Sequence, residues 1–249
     1  MKLSLFIILG LSSLTALLLA EGQPGAIKKE LSFYELMQFG EDQLEEGRST
    51  LDEEKLMAAR KTFEQCLLQN VSNSLSYYYL GRTDSYVFQA KELQKDKKAA
   101  GRALDSAIEN TRRSIALDGR RADAHALLAD LYGRKIGYGG MAAGMRYGPK
   151  AEAETRRALE LDNNNALAYA VLGRRQLYSP KLFGGDIDKA IVSFRKATEL
   201  DPRYDEGFVW LALAYQKKGD SVRARAAVAE ALRLNGRSAF ARQVQSAAH

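Results

Sequence analysis

An all-α array of stacked antiparallel helix pairs is the fold this chain predicts, and three observations predict it. Short helix-end segments recur: Ala116-Leu117-Asp118, Glu160-Leu161-Asp162, Glu199-Leu200-Asp201-Pro202 and Arg233-Leu234-Asn235. Between them, small residues alternate with rings and leucines at i, i+3 and i+4, which lets two helices approach closely while larger side chains fill the gap. Strand signals are nearly absent, and only 4 prolines interrupt 249 residues, which suits a chain that is mostly helix.

Each pair carries its own version of the pattern. The first, over 31–70, has Leu36-x-x-Phe39-Gly40 in one helix and Ala59-x-x-x-Phe63-x-x-Cys66 in the other. Thr50-x-x-Glu53 reads there as a capping box opening the second helix. The pair over 74–118 has Tyr77-x-x-Leu80-Gly81 and Ala107-x-x-x-Thr111, and that over 122–162 has His125-x-x-Leu128-Ala129-x-x-Tyr132 with Ala151 and Ala158. The fourth, over 166–202, reads Tyr169-x-x-Leu172-Gly173 and Ala190-x-x-x-Phe194-x-x-Ala197, ending at Pro202, which cannot continue a helix. The fifth, over 205–238, reads Phe208-x-x-Leu211-Ala212-x-x-Tyr215 and Ala224-x-x-x-Val228-x-x-Ala231. Residues 239–249 are expected to cap the last exposed apolar face or to trail as a tail.

The period identifies the kind of array. Asp201 and Asn235 are 34 residues apart, whereas the preceding intervals are 39, 44 and 48, so insertions of 5, 10 and 14 residues interrupt it. A 34-residue unit with a bulky ring, Leu-Gly, Tyr, Ala-x-x-x-Phe and a closing Pro resembles the tetratricopeptide repeat (TPR) family. The resemblance covers roughly residues 30 to 240. It implies a right-handed solenoid of antiparallel helix pairs, about five repeats with inserted inter-helix loops. The segments Met145 to Lys150 and Pro180 to Asp186 also resemble loops in a subgroup of exported bacterial TPR proteins.

The resemblance further implies a non-catalytic scaffold that binds a peptide or partner protein in a concave groove lined by the first helix of each repeat. Carrying that register onto this chain gives Tyr78, Arg82 and Tyr86, then Asp130 and Arg134, then Arg174 and Tyr178, then Gln216 and Lys217. Tyr and Arg combine rigid contact area with fixed donors, so the expected ligand is a segment bearing a carboxylate or acidic side chain. The Lys/Asn set of chaperone-binding TPR domains is not present in this register.

Two glycine-rich stretches look like loops. Gly137 to Gly144 lacks the Gly-Lys-Ser/Thr ending and preceding strand of a phosphate cradle, so a flexible inter-helix insertion over 134–150 is expected. Tyr178 to Asp186 lengthens a turn that ends in Gly185-Asp186, and Leu182 and Phe183 are expected to pack down on a neighbouring repeat.

Composition limits the remaining functions. With 27% charged and 46% hydrophobic residues, the chain reads as an ordinary folded protein. Its net charge of +6 is dispersed among acids, as in Arg156-Arg157 between Glu154 and Glu160, which favours solvated helix faces over a nucleic-acid stripe. Met1-Lys2 followed by an apolar stretch to Ala20 reads as a signal peptide over 1–20, or as a retained N-terminal anchor, with a linker over 21–30. The expected location is therefore exported, periplasmic or secreted. The single cysteine, Cys66, excludes an intramolecular disulfide, and no lipidation Cys follows the apolar stretch. Neither Cys66, His125 nor His249 has a partner at metal-ligand or nucleophile spacing, so no catalytic, metal or cofactor residue is nominated and no enzyme is expected. A periplasmic accessory component of a solute transporter is the alternative within this architecture.

Overall fold

The structure, a computed structural model, describes residues 31–246. The leader expected over 1–20 and the linker over 21–30 lie outside them. The all-α class holds: among the described residues there are ten α-helices, one short 3-10 turn and no strand. The helices are α1 (Phe33–Thr50), α2 (Glu53–Gln69), α3 (Ser74–Leu93), α4 (Lys97–Leu117) and α5 (Ala122–Leu161). There follow α6 (Ala166–Tyr178), the turn Lys181–Phe183, α7 (Ile187–Leu200), α8 (Asp205–Lys218), α9 (Ser221–Leu234) and α10 (Ala239–Ser246).

The recurring Asp or Asn of the helix-end ladder has a definite task. Asn70, Asp118, Asp162, Asp201 and Asn235 each cap a second helix through the backbone. The side chain of each then accepts the amide N–H two residues on, from Ser72, Arg120, Asn164, Arg203 and Arg237, at 2.9–3.2 Å. Such an Asx turn reverses the chain with its polar groups satisfied locally. One piece of turn chemistry therefore joins every repeat to the next element.

Close approach within a pair is set by glycine meeting a bulky partner. A Cβ on Gly173 would lie 2.7 Å from Phe194, and one on Gly40 2.6 Å from Phe63. Gly81 sits equally tightly on Thr111. The same contact thus repeats in three of the five pairs, with the second-helix side chain filling the space the missing Cβ leaves. One core cluster runs through α1–α3, a second through α3–α5 and a third through α6–α10. The junction of the third and fourth pairs is thinner, with Ala126, Ala158 and Ala168 as its buried residues.

Two local expectations are corrected. The helix opening at Glu53 is capped by Asp52, whose carboxylate accepts from the amides of Glu54 and Lys55, while Thr50 is the last residue of α1. Aspartate at that position satisfies two orphan donors and displaces the proposed Thr50–Glu53 box. The glycine-rich insertion over 134–150 is not a loop: α5 runs through it, broken at a single residue, Gly140, at φ 60° and ψ −144°. Only glycine adopts that conformation readily, so one residue makes the whole reversal. Tyr138 pins the elbow by donating to Glu92 at 2.6 Å and packing 5.6 Å from the Phe88 ring.

Candidate functional site

The first helices of the second to fifth pairs face one cavity of about 270 Å³. α3 contributes Tyr78, Arg82, Ser85, Tyr86 and Gln89, the first half of α5 Asp123, Asp130 and Arg134, α6 Arg174, and α8 Glu206. Tyr204, in the turn before α8, also lines it.

Its electrostatics centre on Asp130, a buried carboxylate shared by two guanidiniums. Arg134, one turn along α5, donates from Nε at 2.8 Å, and Arg174 crosses from α6 to the other carboxylate oxygen. Arg134 also lies 5.3 Å over the Phe88 ring and Arg174 5.0 Å over Trp210, contacts that lower the cost of removing a guanidinium from water. Burial pushes both arginines below their ordinary range. Arg174 Nε is buried without a hydrogen-bond partner. Arg82 makes no ion pair among the described residues; its charge faces the hydroxyls of Tyr78 and Tyr86. Burial, then the charge of Glu206, pushes the Tyr86 phenol up to about 12 and moves Tyr204 the same way. The tyrosines therefore remain neutral donors.

A clasp joins the two ends of the array. Arg48, at the end of α1, donates from Nη1 to Asp205 Oδ1 at 3.0 Å, joining the first repeat to the fifth. Asn235 Nδ2 donates to Asp205 Oδ2 at 2.8 Å and to the Ser49 carbonyl at 3.3 Å. In an open repeat array each unit meets only its neighbours, so this contact bends the row into a closed turn around the cavity.

Six of the nine residues carried over from the register, Tyr78, Arg82, Tyr86, Asp130, Arg134 and Arg174, line the cavity together. The other three lie outside it. Tyr178 packs edge-on to Trp210 at 6.3 Å, Lys217 donates to the Leu177 carbonyl at 2.7 Å while lying over the Tyr178 ring, and Gln216 is half-buried. Tyr204, Gln89 and Asn165 were missed. Tyr204 and Asn165 sit in inter-repeat turns, which a register counted along helices does not reach. Among the described residues no set of three His, Cys, Asp or Glu is placed to hold a metal. His125 is held by Glu154 at 2.6 Å and the Gly119 carbonyl at 3.1 Å, and Cys66 is buried with its thiol pushed up by burial. Asp84 is buried too, satisfied by Arg60, Ser106 and Asn110 at 2.6–2.9 Å.

Leu182 and Phe183 do not pack down on a neighbouring repeat. They stand 87% and 70% exposed on the Lys181–Phe183 turn. The turn is held from beneath, with the amides of Phe183 and Gly185 donating to the Pro180 carbonyl and that of Asp186 to Gln176. Gly184 has φ +86°, and a Cβ on Gly185 would collide with the Ser179 carbonyl. Gly185→Ala is accordingly expected to displace the turn and lower stability by about 1–3 kcal/mol in urea unfolding.

Comparison with known proteins places this geometry. A family model described as TPR repeat matches residues 184–219, which span α7 and α8. The crystal structure of TTC0263, a thermophilic TPR protein of Thermus thermophilus, is similar at TM-score 0.65 and 21% identity, covering 87% of this chain and 98% of that one. The HusA haemophore of Porphyromonas gingivalis is similar at TM-score 0.61 and 18% identity, covering 77% and 96%. YrrB, described as a TPR protein with an unusual peptide-binding site, is similar only at TM-score 0.41 and 15% identity, covering 87% and 98%. No curated protein sequence matches significantly. The described helices thus share the all-α solenoid fold of a TPR protein, and residues 184–219 match the TPR repeat itself.

Proposed function

We propose that this protein is a non-catalytic scaffold of the bacterial cell envelope that binds a partner protein through its concave face, taking a carboxylate-bearing end or side chain of that partner into the central cavity. The observation that carries this reading is Arg82. It lines a cavity with three tyrosines, and among the described residues it has no acidic partner, whereas Arg134 and Arg174 share Asp130. A charged donor without an acceptor in a partly desolvated cavity is stabilised most by an incoming anion. The cavity volume, about 270 Å³, suits one residue or a short extended tip of a partner rather than a helix. The apolar segment up to Ala20 supports the envelope location.

The test is affinity capture from an envelope extract with the full chain and with its Arg82→Ala, Arg174→Ala variant. Arg134 remains on Asp130 in the variant, so the helical circular-dichroism signal is expected to persist. Partner binding is expected to fall by at least about tenfold, the loss of one charge-assisted contact. Equal capture by both chains overturns the assignment of this face.

A further inference from the structure

We propose that the edge of the solenoid carrying the intra-pair turns of the third and fourth repeats docks onto an anionic lipid bilayer. In an array of antiparallel pairs, the turns joining the first helix of each pair to its second lie along one edge. Two of them end in apolar prongs. The α5 elbow presents Met141 and Met145, 86% and 76% exposed, and the turn between α6 and α7 presents Leu182 and Phe183. The second prong is built rather than slack: its hydrogen bonds and its two glycines hold the apolar pair outward. Large apolar side chains held rigidly in water are retained where something covers them.

Charge selects the occupant. The acids near these turns are engaged: Glu92 accepts from Tyr138, Glu152 pairs with Arg175 at 2.8 Å, Asp186 caps α7 by accepting from the amides of Asp188 and Lys189, and Asp188 pairs with Lys218 at 2.5 Å. The cations beside the apolar tips are not. Arg146 and Lys150 lie over the Tyr147 ring, at 5.3 and 5.9 Å, and with Lys181 they make no ion pair among the described residues. Apolar tips flanked by free cations match an interface in which acyl chains lie beneath anionic headgroups. Both prongs stand on neighbouring intra-pair turns, so an extended apolar surface suits them better than a single pocket.

The test places the probe at the prong, so that an N-terminal apolar segment does not contribute to the signal. Trp210 is the chain's one tryptophan. The full-length Phe183→Trp, Trp210→Phe variant is mixed with vesicles of phosphatidylcholine and about one-third phosphatidylglycerol whose acyl chains are brominated. Emission from position 183 is expected to be quenched at least about twofold, and the quenching to be largely lost in pure phosphatidylcholine or when Lys181→Glu and Arg146→Glu are added. Unchanged emission overturns the proposal, as does equal quenching without anionic lipid or with the cations reversed. Partner capture retained by a Lys181→Glu, Arg146→Glu chain that keeps Trp210, beside lost quenching in the probe chain, separates this edge from the concave-face reading.

Discussion

Phe194→Ala is expected to lower the unfolding free energy by about 3–5 kcal/mol, read as a shift of the urea midpoint at unchanged slope. Phe194 is fully buried in the cluster shared by α6–α10. Its ring fills the place of the side chain that Gly173 lacks, with Cε1 2.7 Å from where a Cβ would stand. A glycine backbone cannot reach into the void, so little of the cavity is recovered by collapse. Val192, on the exposed side of the same helix, is the internal control, and Val192→Ala is expected to stay within about 0.5 kcal/mol. Leu172, whose sequence position suggests a core residue, is only half-buried and is expected to cost less than Phe194. A loss below about 1 kcal/mol for Phe194→Ala would show that the glycine–ring contact does not set the approach of α6 and α7.

Asp205→Ala is expected to cost about 2–3 kcal/mol and to open the ring, visible as an increased radius of gyration in small-angle scattering. Asp205 is 2% exposed and accepts from both Arg48 and Asn235. Its removal leaves two donors to rehydrate where the first and fifth repeats meet. The cost falls below that of stranding a fully buried charge because Arg48 keeps two hydrogen bonds to Glu45. The exposed pair Lys55–Glu46 is the contrast: Glu46→Ala is expected to change stability by no more than about 1 kcal/mol. A double-mutant cycle on Arg48 and Asp205 isolates the clasp itself. Additive losses with unchanged scattering would mean that the Arg48–Asp205 pair does not hold the first repeat to the fifth.

What the sequence displayed were features that repeat. The Asp/Asn ladder specified the turns because an Asx turn needs only one side chain and the amide two residues on. Gly173 with Phe194 and Gly40 with Phe63 announced close helix pairs because steric fit within a pair is decided locally. Features outside the repeat were less visible. Gly137 to Gly144 reads as a loop by composition, yet one glycine at positive φ and the anchor from Tyr138 to Glu92 suffice to leave helix on both sides.

The candidate site divides along the same line. Helical register brought Tyr78, Arg82, Tyr86, Asp130, Arg134 and Arg174 to one face, because the first helices of stacked pairs present equivalent positions to the inside of the turn. The register could not include Tyr204 or Asn165, which lie between helices, nor tell that Tyr178 and Lys217 fall beyond the cavity's end. By itself, then, the sequence determined the repeat unit, its helices and the residues facing inward, since each follows from contacts within one unit or between neighbours. Only the tertiary structure decided that the array closes on itself through Arg48 and Asp205, 157 residues apart, and that Leu182 and Phe183 stand outward. Closure accumulates from small rotations at every junction, and no local pattern of residues records that sum.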